Sequence, residues 1–155
     1  MSCCPRHVAF LPCQPLAYLL AEWIGGVFPC RYEDGRFTPF EWHKTAPLDY
    51  VGARNIGAEI AVHPSGNFVY ASNRGYSSIV CFSVGKNGSL RPVEWTTEHI
   101  AKPRFFAISE DGNELYCANE ETYCVSVYSI NQENGRLTHL ADAMHASAPA
   151  CVLFS

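Results

Sequence analysis

The chain has 155 residues, 48% of them hydrophobic and 17% charged, with a formal net charge of −4. This is enough apolar material for one domain with a core, which excludes disorder, and with no Lys/Arg run there is no basic face to grip nucleic acid. Eleven glycines and ten prolines are near average and exclude collagen-like and low-complexity architectures.

In chain order, Arg6 is followed by VAFLPCQPLAYLLA, superficially a secretory apolar region. Pro12, Gln14 and Pro15 interrupt it, and Glu22 ends it short of the ~20 residues of a membrane span. It reads instead as short strands, in a soluble, cytoplasmic chain with no membrane contact. The segment Gly25 to Asp34 does not give a clean third strand, because Pro29 lacks a ladder donor. The turn Gly35-Arg36-Phe37-Thr38 closes this first unit, at about 5–45, and a longer loop around Pro47 to Gly57 follows.

Two clearer copies come next, at 58–98 and 103–144. Ile60-Ala61-Val62 matches Phe106-Ala107-Ile108, Tyr70-Ala71-Ser72-Asn73 matches Tyr116-Cys117-Ala118-Asn119, and Gly88-Ser89-Leu90 matches Gly135-Arg136-Leu137. Tyr70 and Tyr116 stand 46 residues apart, Gly88 and Gly135 47 apart, and Tyr18 precedes Tyr70 by 52. Apolar runs such as Phe68 to Ala71 and Ile79 to Val84 are β-branched and aromatic, separated by Pro-Ser-Gly, Asp-Gly and Asn-Gly turns. No sustained 3.6-residue period exists, so long helices are not expected. Four short strands per ~45 residues mark a propeller blade; a β-sandwich is the alternative, but it needs no internal repeat. The expectation is an all-β partial β-propeller, residues 1–155 as one domain, with three four-stranded antiparallel blades and an extra strand at 149–155.

The eight cysteines (3, 4, 13, 30, 81, 117, 124 and 151) show no Cys-x-x-Cys and no zinc-ligand spacing. Cys81, Cys117 and Cys151 sit in apolar runs and read as small reduced hydrophobes. Cys117 and Cys124 flank a hairpin, which leaves a disulfide open but less favoured. Tyr18, Tyr70 and Tyr116 read as packing residues, Trp42 and Trp95 as core, and His63 as structural in a turn.

The runs Ala58-Glu59-Ile60, His63-Pro64-Ser65-Gly66 and Tyr70 to Gly75, with Pro5-Arg6-His7-Val8-Ala9-Phe10 and Pro103-Arg104-Phe105-Phe106-Ala107, resemble the lactonase family of seven-bladed β-propellers. That family includes bacterial 6-phosphogluconolactonase and fungal carboxy-cis,cis-muconate cycloisomerase. The resemblance implies catalytic roles for Arg6, Glu22 and Arg74. Repeat spacing puts Glu22, Arg74 and Glu120 in one slot of three successive blades, each four residues after its tyrosine. Arg104 and Glu120 are the candidate substrate-binding pair. Lactone hydrolysis needs a base for water, a role for Glu22, and cations for an oxyanion or a substrate anion, a role for Arg6 and Arg74. The plainer alternative is a solvated rim or a blade-to-blade ion pair. His7 is set aside, because strand neighbours face opposite sides.

The arrangement calls for no cofactor and no metal. Its partner would be a small lactone or sugar phosphate, with self-association through exposed blade faces. Cys4 stands where the family has glycine and Ala21 where later units have asparagine. The resemblance also implies upstream blades and an upstream histidine that these 155 residues do not contain. The expected activity is therefore that of a 6-phosphogluconolactonase-like hydrolase, as a C-terminal fragment or truncated paralogue with little turnover alone. The rival from another class is a non-catalytic propeller-type interaction module.

Overall fold

The structure, a computed structural model, describes residues 3–154. Among them the sequence folds into three antiparallel meander sheets and no helix. Blade 1 holds β1 (Pro5–Phe10), β2 (Leu16–Ala21), β3 (Gly26–Glu33), β4 (Arg36–Pro39) and the short β5 (His43–Lys44). Blade 2 holds β6 (Gly57–Val62), β7 (Phe68–Asn73), β8 (Ser78–Val84) and β9 (Leu90–Thr96). Blade 3 holds β10 (Pro103–Ile108), β11 (Glu114–Asn119), β12 (Cys124–Ile130) and β13 (Leu137–His145). Each sheet runs in sequence order, and the first strands β1, β6 and β10 are neighbours in space.

Alternation along each strand explains the stacking. In β7, Val69 and Ala71 face the blade 1–blade 2 core with Tyr18, Leu20 and Phe82. Phe68 and Tyr70 face the blade 2–blade 3 core with Phe106, Leu115 and Tyr128. Blade 2 is covered on both sides, which is why its strands read as unbroken apolar runs rather than as an alternating pattern. Polar ties repeat alongside: Tyr18 donates its hydroxyl to the Gly88 carbonyl at 3.1 Å and Tyr70 to that of Gly135 at 2.7 Å. His63, buried in its turn, sits 2.8 Å from the Gly112 carbonyl and from Ser65 Oγ, which makes it a structural bridge to blade 3.

Several expectations need correction. Gly26–Glu33 is a full eight-residue strand despite Pro29. The Pro29 carbonyl accepts from Phe40 N at 3.0 Å, so that edge of Pro29 looks at the outer strand. The outer strand is broken there into β4 and β5, and the missing donor falls in the gap. Trp42 lies in that gap and is 50% exposed rather than core, whereas Trp95 is partly buried against the first core and donates to the Thr45 carbonyl. The run from Pro149 pairs with no strand among the described residues. It crosses blade 3 as a coil, its Phe154 ring 5.2 Å from Tyr116; Ser155, the end of that expected strand, lies outside the described residues. Tyr116 is only partly buried. Cys117 and Cys124 are both reduced and are not bridged.

Candidate functional site

The slot residues are positioned by backbone geometry common to the three blades. Each donates its N–H to the residue just before its blade's first strand: Glu22 to Cys4, Arg74 to Ile56 and Glu120 to Lys102. Each first strand also opens with a β-bulge, at Pro5/His7, Gly57/Ile60 and Pro103/Phe105. A bulge re-aims side chains and suspends strict alternation.

Arg6, Glu22 and Arg74 meet at the blade 1–blade 2 junction. Arg74 Nη2 donates to Glu22 Oε1 across the junction and to the Gly57 carbonyl at 3.2 Å. Arg6 Nη1 lies 3.8 Å from Glu22 Oε2, and Arg6 Nε donates to the Ala58 carbonyl at 2.7 Å. These side chains keep 14 to 24% of their surface in solvent. They are thus shielded enough to strengthen the pairing and open enough to meet a small solute. Arg74 Nε is buried without a partner.

Arg104 and Glu120 do not join this cluster. Glu120 is held within blade 3, by Lys102 Nζ at 3.1 Å and Arg104 Nη1 at 3.9 Å. Among the described residues no ion pair links it to Arg74. Glu22 and Arg74 thus pair across one junction, while Glu120 pairs within its own blade. Blade 2 differs from its neighbours because Ala58 occupies the position of Arg6 and Arg104, so Arg74 has no arginine of its own blade beside it and reaches the preceding blade's glutamate instead.

The bulge also overturns the argument that set His7 aside. Arg6 and His7 both reach blade 2, and His7 Nδ1 lies 2.7 Å from Glu59 Oε1. Glu59 is 7% exposed, accepts from Ile60 N at 3.0 Å, and has its second oxygen buried without a partner. The available signal was a lone acid inside the apolar strand GAEIAV, since a buried carboxylate requires a partner. His7 and Glu59 place an imidazole one residue from Arg6, and Lys102 is a further cation that sequence reasoning missed.

Known proteins share the propeller fold. Residues 2–154 match the family described as lactonase, 7-bladed beta-propeller. An uncharacterised protein of Staphylococcus epidermidis is 36% identical over 151 residues, covering 96% of this chain and 44% of its own length; one of Staphylococcus aureus is 34% identical over the same shares. Among solved structures, a candidate 6-phosphogluconolactonase of Bacteroides uniformis superimposes with a TM-score of 0.88 at 32% identity, over 97% of this chain and 43% of that one. A periplasmic gluconolactonase of Pseudomonas aeruginosa does so with 0.89 at 27% identity, over 97% and 42%. The chain spans less than half the length of these relatives. Over nearly all of its own length, in fold and in blade repeat, it belongs to the lactonase family of seven-bladed β-propellers.

Proposed function

We propose that the Arg6, Glu22 and Arg74 cluster is part of a centre that hydrolyses a sugar lactone of the 6-phosphogluconolactone type. The observation that carries this reading is a glutamate held between arginines from two blades, at a partly buried position that solvent still reaches. A water beside Glu22 gives its proton to the carboxylate as its oxygen bonds to the lactone carbonyl carbon. The oxyanion that forms is stabilised by guanidinium N–H groups of Arg6 and Arg74. The ring C–O bond then breaks, and the leaving alkoxide takes the proton back from Glu22, giving the open-chain acid. The same arginines can hold the product carboxylate or a substrate phosphate in a bidentate grip.

The test has two readouts, because the 155-residue chain alone is expected to turn over slowly with no further blade packed beside either end. Lactone hydrolysis is followed above the spontaneous background with the phosphorylated and unphosphorylated substrates. Binding of the phosphorylated product acid is measured by calorimetry. Glu22→Gln should cut the enzymatic rate by ~10²-fold or more with product binding retained. Arg74→Met should weaken product binding by about tenfold or more. Wild-type rates and affinities in both variants would refute the reading.

A further inference from the structure

At the blade 2–blade 3 junction, three side chains outside the arginine–glutamate clusters bring metal-ligating atoms together. They are His99, in the loop between β9 and β10, and His139 and Asp142 in β13; their ligand atoms all lie within 4.8 Å of one another. His139 Nε2 is 3.2 Å from Asp142 Oδ1, and His99 Nδ1 is 3.8 Å from Oδ2.

The sequence pattern conceals this group, because residues three apart on a regular strand face opposite sides. Here Val127 pairs with Ala141 and Tyr128 with His139, which leaves Leu140 unpaired in a bulge. The bulge turns His139 and Asp142 to the same side. His99 has φ +55°, a left-handed conformation uncommon for a non-glycine residue, which the surroundings must hold in place. Asn119 Nδ2 does so by donating to the His99 carbonyl at 3.1 Å and to Ser126 Oγ at 3.0 Å. Ser126 Oγ lies 2.7 Å from Asp142 Oδ1 and 3.3 Å from the His99 carbonyl. Its single proton goes to the nearer, charged carboxylate. One buried asparagine and one buried serine therefore orient both the loop and the carboxylate, as outer partners do around bound ions.

We propose that His99, His139 and Asp142 form a binding site for a late first-row divalent cation, zinc by its donor set, which staples the loop between blades 2 and 3 to the outer strand of blade 3. Two imidazole nitrogens and one carboxylate oxygen suit zinc, whereas a single oxygen donor is too few for calcium or magnesium. Three protein ligands leave a fourth position for water, and a cavity of about 180 Å³ lined by Thr97, His99, Thr122, Cys124 and Asp142 gives access. The two rings stack with centroids 3.7 Å apart and planes 4° from parallel, so their lone pairs run side by side and one ring must turn to share an ion. His99 has the room, with 46% of its side chain exposed; His139, 17% exposed, is packed edge-on against Tyr128.

The experiment is equilibrium dialysis of the chelator-stripped 155-residue chain against micromolar zinc, repeated with cobalt for its visible spectrum. The site lies at an internal junction, so association through the end faces leaves it accessible. One zinc per chain should bind more tightly than any remaining sites, with a rise in melting temperature. Asp142→Asn, which keeps shape and folding, and His99→Ala, at an exposed position, should each abolish that class of binding. Ser126→Ala should weaken it about tenfold. Cobalt should show nitrogen–oxygen ligand-field bands without thiolate charge transfer, because cysteine thiolates elsewhere in the chain are the rival ligands. No zinc bound, or zinc bound equally by wild type and variants, overturns the proposal and leaves the histidine pair as a packing contact.

Discussion

Tyr18 and Tyr70 are wholly buried and donate to glycine carbonyls of the next blade, whereas Tyr116, at the same place in blade 3, is partly exposed and donates to Glu114 of its own strand. The glycines mirror them. Gly88 and Gly135 sit against Leu16 and Phe68 of the preceding blade, while a Cβ on Gly35 of blade 1 would meet nothing. The core of this protein thus lies between blades rather than within them, so the energetic worth of a residue depends on which blade stands beside it.

The largest effect of that asymmetry concerns assembly. Phe10, Phe37 and Val8 on blade 1, and Met144 and Leu153 at the far side of blade 3, are exposed. Apolar surfaces of this kind drive association, so light scattering on the isolated chain should give a mass above that of one chain. Phe10→Lys together with Met144→Lys should lower it, and a monomeric wild type would contradict the asymmetry. Next in size, Gly135→Ala should destabilise by about 2–4 kcal/mol in denaturant unfolding. It combines φ +74° with contacts of 2.6 Å to Phe68 and 2.8 Å to Cys81, adding overpacking to backbone strain. Gly35→Ala, with φ +77° and open space, should cost only the strain, about 1 kcal/mol.

Burial raises Tyr18 to about 12, with the Glu41 charge adding to it, and burial also pushes Tyr70 upward. The fold favours the neutral phenol, so this contribution is intact below about pH 10, the unfolded value. It is lost as pH rises from there toward 12, by about 1.4 kcal/mol per unit for each such group. Denaturant midpoints between pH 8 and 12 check this, and Tyr18→Phe should flatten the alkaline slope. Tyr70→Phe should cost about 1–3 kcal/mol by leaving the Gly135 carbonyl unpaired, and Tyr116→Phe less than about 0.5 kcal/mol; equal losses would erase the comparison. Smallest of all is the thiol effect. Burial pushes up Cys81, to about 12, and Cys117, so neither should react with a thiol reagent at neutral pH until the chain unfolds, whereas exposed Cys13 and Cys151 should react at once.

The two internal junctions share their packing and differ in charge. Ala58 in place of an arginine leaves Arg74 free to bridge to Glu22, while Glu120 stays with Lys102 and Arg104. A repeat can thus conserve its apolar interlock and vary its polar chemistry blade by blade, because the interlock needs only volume and period whereas an ion pair depends on individual atoms.

Local pattern was enough to mark the three units, their all-β character and turn chemistry, and the common slot of Glu22, Arg74 and Glu120. These follow from local periodicity and glycine placement, which need no knowledge of the neighbouring blade. Blade-to-blade packing and strand irregularities set the rest: which slot residues pair, that His7 reaches Glu59 beside Arg6, that His139 and Asp142 share a side, and that Pro149 to Phe154 runs as a coil. Each of these depends on a bulge, on a missing neighbour, or on one small side chain such as Ala58. Such features shift atoms by a few ångströms without disturbing the period that the sequence displays.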